Sequence, residues 1–516
     1  MLRDDEVAVG TLRKANRSCY CFGTDPRETK RGSFRGLLDH VAVWNRALSD
    51  GEIATISGVD KLGDKRPAYY AEKYRPQFHF TAQKHWLNDP NGLVYYDGVY
   101  HMCYQHMPPL RPGAHKDWGH ATSTDLVHWE QLASALTPHR VWGGCWSGSA
   151  VVDWENTTGF QVGQQKPIVA ILTNGGEPGK GPLCTQCIAP SVDGGKTFSY
   201  YARNPVLNNV VGCNRDPKVI WHQPSRQWIM ALYLDGNDYG LFASPDLKEW
   251  KQLAKLTLPG VSECPDLFPL TVDGKPAHVK WVFWGANGVH VIGSFDGRTF
   301  RKESEPRPAD FGGNFYAAQT WSDIPRADGR RVQIAWMAGG KYPGMPFDQQ
   351  MNFPTEVTLR NTPEGIRMHR FPVREIEKIW LPGKAWASRD IKPGESPALE
   401  VSGELFDIAA EFEVEQALAF GIRARGESVR YDVAAKKLTA LGRSAPLVPE
   451  NGRIKLRVLV DRTSIEVFGN DGRVVLTSCF LPTDDNKDVT MFAEGGRARL
   501  VAAAIHPLQS IWPSGR

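Results

Sequence analysis

Between residues 80 and 360 the apolar positions fall in short runs broken by Gly, Pro, Asp and Asn, and helical periodicity is nearly absent. Strand pairs are predicted at 93–96 with 100–104, at 218–222 with 228–234, and at 279–284 with 289–293. One punctuation recurs among them: Ser-x-Asp, a turn, then an aromatic. It occurs at Ser123 and Asp125 before Trp129, Ser191 and Asp193 before Phe198, Ser244 and Asp246 before Trp250, and Ser294 and Asp296 before Phe300. The serines are spaced by 68, 53 and 50 residues. Four-stranded units recurring at about 50 residues predict a β-propeller. Further strands at 331–337 and 356–369 supply another unit, so five blades are expected over 75–375. Beyond, alternating segments at 409–414, 454–460 and 464–468, and a hairpin at Gly469–Gly472, predict a C-terminal β-sandwich over 398–516. The Pro- and Gly-rich stretch inside 376–397 reads as a linker. The fold class is all-β: a five-bladed β-propeller followed by a β-sandwich.

Residues 1–60 differ. Ser49 to Glu52 is a capping box for a short helix through Ile56, after a strand-like stretch at 36–48. Sixty residues scarcely bury a core of their own. The stretch 36–53 resembles the closing strand and helix of laminin-G or concanavalin A-like domains, so a truncated lectin-like remnant is expected there. The start is acidic and has no apolar core, unlike a signal peptide.

Composition narrows the function. The 516 residues carry 61 Lys and Arg against 57 Asp and Glu, a net charge of +4. That balance is no footprint for nucleic acid or an anionic membrane. No run approaches 18 apolar residues, so no transmembrane helix is expected. Nine cysteines are an odd set; Cys184 and Cys187 form a C-x-x-C without a second pair. Most read as small buried apolar residues, with room for one disulfide. The 17 Trp are mostly core, yet aromatic faces at the mouth of a β-fold also suit sugar rings.

Three acidic motifs stand at comparable strand starts: Trp86-Leu87-Asn88-Asp89-Pro90-Asn91-Gly92, Asn214-Arg215-Asp216-Pro217-Lys218, and Ser262-Glu263-Cys264-Pro265-Asp266. Strands entering a propeller from one face would bring three such acids into one funnel. Burial and repulsion then drive their pKa values apart, as glycoside hydrolysis requires of its acid and its nucleophile or base. His101, His106, His120 and His128 lie close in sequence, but strand alternation should scatter them, so no metal site is expected. Cys264 lacks a base and reads as packing. Ser147 with His120 lacks the strand–turn–helix elbow of a hydrolase triad.

These blocks, with Trp146-Ser147-Gly148-Ser149, the segments 100–105 and 118–129, and Asp461 to Phe468, resemble glycoside hydrolase family 32, the invertase, inulinase and levanase family. The resemblance spans about 75–510 and implies the same propeller and sandwich. It implies that Asp89 is the nucleophile, Glu263 the acid/base and Asp216 the transition-state stabiliser. It places Asn88, Gln105, Trp118, Trp146, Ser147, Arg215 and Trp336 around the terminal fructose. Trp146 stands where Phe is more usual, and Leu87 where Met is. Arg215 is expected to help keep Asp216 charged. The chemistry implied needs no metal or cofactor. The implied activity is a retaining exo-acting β-fructofuranosidase on inulin, levan and sucrose, with a fructose-containing oligo- or polysaccharide as its partner. Alternatives within the family are a fructosyltransferase or an endo-acting fructanase; outside it stand a propeller glycosidase on arabinan or xylan and a non-catalytic sugar-binding protein. The loop 339–351 resembles bacterial levanases and exo-inulinases, which with the lectin-like remnant implies a polymer substrate met outside the cytoplasm, by a secreted or periplasmic enzyme.

Overall fold

The computed structural model describes residues 69–107, 116–176, 183–395, 398–483 and 486–512. The helix and lectin-like remnant expected within 1–60 lie outside them. Apart from a 3-10 turn at Arg374–Ile379, the regular elements described are strands, and no helix among them is long and apolar enough to cross a membrane.

The first sheet runs β1 (His85–Tyr96), β2 (Val99–Met107), β3 (Asp117–Ser123) and β4 (Glu130–Leu136), in sequence order. The second holds β5 (Gly144–Val152), β6 (Ile168–Gly175) and β7 (Thr185–Ser191), with Gln186 bridged to Leu207 on its outer side. The third holds β8 (Arg215–His222), β9 (Gln227–Asp235), β10 (Asp238–Ser244) and β11 (Lys251–Thr257). The next begins β12 (Asp266–Val272), β13 (Lys275–Trp284), β14 (Val289–Phe295) and β15 (Phe300–Lys302), with β16 (Arg307–Pro308) beside β14. It continues through Val272 and Leu359 into β17 (Tyr316–Thr320), β18 (Val332–Trp336), β20 (Thr355–Thr362) and β21 (Gly365–Pro372), while β19 (Phe347–Asp348) pairs in parallel with the start of β1.

The Ser-x-Asp punctuation has one structural meaning. Asp125, Asp193, Asp246 and Asp296 each accept backbone N–H bonds from residues two to four positions on. In three of the turns the serine hydroxyl also meets the carboxylate. A side chain that caps its own turn reverses the chain without help from tertiary contacts. Burial is graded along each sheet: every residue of β6 is buried, whereas β11 is largely exposed and carries Lys251 and Lys255, charges that blunt an edge.

The first strands of successive sheets are tied together. Asn91 accepts the Gly148 N–H, Ser149 Oγ donates to Pro217 O, and Val94 bridges Ser322 in parallel. Lys218 of β8 lies 3.5 Å from Asp266 of β12 and donates to Thr320 O at the end of β17 at 2.7 Å.

Residues 398–512 form two further sheets around one apolar core, including Phe406, Ile408, Leu456 and Val458 from one and Phe420, Ile422, Met491 and Tyr431 from the other. The stretch expected as a linker carries two short strands, Lys384–Trp386 and Arg389–Ile391, paired with Ala498–Pro507. Leu459, Phe468 and Val475 share a second buried cluster with Phe78, Phe80 and Phe353, so the N- and C-terminal halves have a common core.

A polar staple crosses that boundary. His79 Nδ1 lies 2.8 Å from Asp461 and Nε2 2.8 Å from Glu466, all three fully buried. Burial opposes the imidazolium, but the two carboxylates outweigh it and raise His79 to about 9. A histidine near 6.5 when unfolded and near 9 when folded contributes stability that is complete below pH 6.5 and lost as pH rises to 9. The loss is up to about 3 kcal/mol. The urea midpoint is therefore expected to fall across that window, and to fall much less in His79→Gln; equal slopes would refute the assignment.

Candidate active site

The three acidic motifs converge as expected, through a device that alternation does not reveal. Four inner strands carry a β-bulge at the same level, each placing two residues opposite one. Asn88 and Asp89 face Gln105, Trp146 and Ser147 face Thr173, Asp216 and Pro217 face Leu232, and Ala317 and Ala318 face Ala335. Each bulge turns a side chain that strict pairing would aim elsewhere. Asp216 and Ala317 adopt φ of 62° and 52°, and Cys264, just before β12, 51°. These left-handed conformations are strained for side-chain-bearing residues.

The polar residues and the glycine of the first motif each have a task. Trp86 Nε1 donates to Asn88 Oδ1 at 3.0 Å, and Asn88 Nδ2 donates to Asp89 Oδ1 at 3.1 Å. Ser147 Oγ donates to Asp89 Oδ2 at 2.6 Å, so both carboxylate oxygens are held from different strands. Gly92 has φ of 53°, and a Cβ there would sit 2.8 Å from the Trp118 ring. Gly148 admits no side chain either, since a Cβ would lie 2.1 Å from Ile171 O.

Cys264 joins the acids. Its N–H donates to Asp216 Oδ2 at 3.3 Å and its Sγ lies 3.7 Å from Asp89 Oδ2. Burial and the neighbouring acids Asp216, Asp89 and Glu263 push its thiol well up, so it stays protonated as a donor. The packing role expected for Cys264 thus becomes a polar one. Arg215 Nε is 3.5 Å from Asp216 and its Nη2 3.6 Å from Glu263, with its guanidinium 4.6 Å above the Tyr233 ring. Burial nevertheless raises Asp216 to about 7: Arg215 lowers it, but Asp89 and Glu263 add to the rise. Arg215 favours the charged form of Asp216, as expected, but desolvation outweighs that help, since Asp216 is only 5% exposed.

Tyr316, which sequence reasoning missed, donates its hydroxyl to Glu263 Oε1 at 2.6 Å. Its segment lacks an acid or the Ser-Asp signature; the available signal was its place at the start of an inner strand. Thr173 was also missed; its Oγ1 accepts the Asp216 N–H at 3.0 Å. Trp336 meets Trp86 and Tyr316 edge-on at 5.8 and 6.2 Å, forming an aromatic wall. Trp118 and Gln105 stand beneath the site. Trp118 is wholly buried and donates to Trp146 O at 2.9 Å; Gln105 donates to Cys145 O at 3.1 Å. Both hold the Cys145–Ser147 segment that presents Trp146 and Ser147.

His101 and His120, expected on different faces, stack with 3.1 Å between Nδ1 and Nε2. Burial depresses them to about 4 and 3, so both are neutral. His106 bonds Lys84 O, and His128 lies exposed beside Asp125. Among the described residues no three His, Cys, Asp or Glu side chains cluster as metal ligands. The cysteines described are free thiols, although Cys184 and Cys213 bring their sulfurs within 2.7 Å.

Comparison with known proteins agrees with this geometry. The N-terminal domain profile of glycosyl hydrolases family 32 matches residues 79–370, and the family's C-terminal profile matches 375–507. A levanase from Bacillus subtilis is 40% identical over 492 residues, covering 86% of this chain and 72% of the levanase. The extracellular exo-inulinase of Aspergillus ficuum is 30% identical over 530 residues, covering 86% of this chain and 96% of its own length. The crystal structure of exo-inulinase from Aspergillus awamori superposes with a TM-score of 0.77 at 29% identity, over 86% of this chain and all of that one.

Proposed function

Because the chain belongs to glycosyl hydrolase family 32, we propose that it is a retaining, exo-acting β-fructofuranosidase releasing terminal fructose from levan, inulin and sucrose. The observation that carries this reading is the linked set Asp89, Asp216 and Glu263, brought from β1, β8 and the approach to β12 within reach of one Cys264 and one Arg215. We read β1–β4, β5–β7, β8–β11, β12–β15 and β17–β21 as five blades over 75–375, and 398–516 as the sandwich. The likeness to exo-inulinase over its whole length supports that division. Action outside the cytoplasm accords with the name of the extracellular Aspergillus relative.

Asp89 attacks the anomeric carbon of the terminal fructosyl unit as Glu263 gives its proton to the glycosidic oxygen, and the bond between them breaks. Glu263 then takes a proton from water, whose oxygen displaces Asp89, and the configuration is retained. Ser147 and Asn88 hold the attacking carboxylate in one orientation, so less reorganisation separates the bound state from attack. Tyr316 donates to one oxygen of Glu263, and the other, 3.6 Å from Arg215, is left to serve the leaving group. Asp216, near 7, carries its proton in mildly acidic solution and can donate as well as accept towards fructose hydroxyls. Trp86 and Trp336 offer ring faces to the sugar.

The test is chromatography of early products from sucrose, inulin and levan. Free fructose alone from the polymers is expected. Oligofructosides appearing first would make the enzyme endo-acting, fructosylated acceptors would make it a transferase, and no release from any substrate would overturn the reading. Tyr316→Phe should lower kcat/KM about 10- to 100-fold, as loss of a hydrogen bond to a charged group does. An unchanged kcat/KM would reduce Tyr316 to packing.

A further inference from the structure

A cavity of about 660 Å³ opens at the opposite ends of the inner strands. Tyr95, Val152, His222 and Ser322, from the ends of β1, β5 and β8 and just past β17, line it, and none of the catalytic acids does. Along β1, Tyr95 lies six residues beyond Asp89, about 20 Å away.

Its walls are unusually aromatic for a surface opening: Trp154, Trp221, Trp228 and Trp281 all line it. Trp154 is 51% exposed, yet its direction is set. Its Nε1 donates to Asp323 Oδ1 at 2.9 Å, and Asp323 Oδ2 accepts the Val152 N–H at 2.9 Å. An indole pinned by its edge, with a face left open, contributes less to the core than a buried one would. Deeper in, Ser322 is 8% exposed and its Oγ has no hydrogen-bond partner. A buried hydroxyl left unpaired carries a cost that a bound polar group would remove. Acids outnumber bases around the opening, Asp97, Asp153, Glu155 and Asp323 against Arg326 and Arg331, which disfavours an anion. Ring faces for C–H surfaces, one unsatisfied hydroxyl and carboxylates that accept from hydroxyl groups suit a neutral ligand rich in hydroxyls.

We infer that this cavity is a second saccharide site, which holds a segment of the fructan chain away from the catalytic pocket. The inference rests on the fructan reading above. A polymer held at two places meets the catalytic pocket at a raised effective concentration, whereas sucrose is too short to engage both.

The test separates binding from turnover. With turnover held off by Glu263→Ala, electrophoresis through gels containing levan or inulin should show retardation that excess free fructose does not abolish. Adding Trp154→Ala should weaken that residual affinity about tenfold, and Trp154→Phe should restore most of it. In the active enzyme, Trp154→Ala should raise KM for the polymer several-fold, leaving sucrose kinetics and the thermal midpoint unchanged. Retardation wholly abolished by fructose, no retardation at all, or equal retardation with and without Trp154→Ala would each overturn the second site. If the wild type releases no fructose from any substrate, the fructosidase reading fails by itself, and the gel measurement still decides whether the cavity binds saccharide.

Discussion

Asp89→Asn and Glu263→Gln are each expected to lower kcat on sucrose and on levan by about 10³-fold or more, with thermal midpoints near wild type. Nucleophilic and general acid catalysis each supply rate factors of this order. The two losses should differ in kind. With an activated fructoside, whose leaving group departs without a proton, Glu263→Gln should recover much of the first step, and Asp89→Asn should not. The geometry supports this asymmetry. Asp89 is held by Ser147 and Asn88 on both oxygens, as suits a fixed attacking group. Glu263 is tied at one oxygen by Tyr316 and its side chain is 29% exposed, as suits a group that must reach the leaving oxygen and then water. Equal behaviour of both variants on both substrates would refute these roles.

The second large effect concerns stability. His79→Leu removes the cation between Asp461 and Glu466 and leaves two buried carboxylates facing an apolar group. Breaking a buried ion pair in this way costs about 3–5 kcal/mol. Asp461 would keep the N–H bonds from Gln77 and Phe78, and Glu466 the one from Phe353, which limits the loss. Urea unfolding should show the midpoint drop, and His79→Leu combined with Glu466→Gln should recover part of it by removing one uncompensated charge. A midpoint within error of wild type would show that the staple contributes nothing across the boundary between the two halves.

Much of the architecture was legible because it depends on local chemistry. An aspartate that accepts its own turn's N–H groups acts the same way wherever the turn sits, so Asp125, Asp193, Asp246 and Asp296 marked four turns in advance. The acids Asp89, Asp216 and Glu263 were legible for a related reason: each stands in a short block at a strand start. The stretch at 381–397 misled because Pro and Gly density signals irregular chain, whereas pairing with Ala498–Pro507 turned part of it into strand. Trp118 and Gln105, which the resemblance implies around the terminal fructose, gain from the fold a role that sequence does not show: both are buried and bond the Cys145–Trp146 backbone.

What the one-dimensional pattern could not carry is geometry that needs a partner strand. A bulge is a mismatch between two strands, so the four two-against-one bulges that aim Asp89, Ser147, Asp216 and their neighbours have no signature in either strand alone. The same holds for Tyr316, whose role arises only when β17 lies beside the start of β12. It holds for Asp216 too, where the adjacent Arg215 suggests a charged group, and only the depth of burial reverses the sign. Residue types and local turns thus set the strands, the repeat and the chemistry available. The packing of distant strands sets direction, dielectric and distance, because those are properties of pairs that chain order alone does not contain.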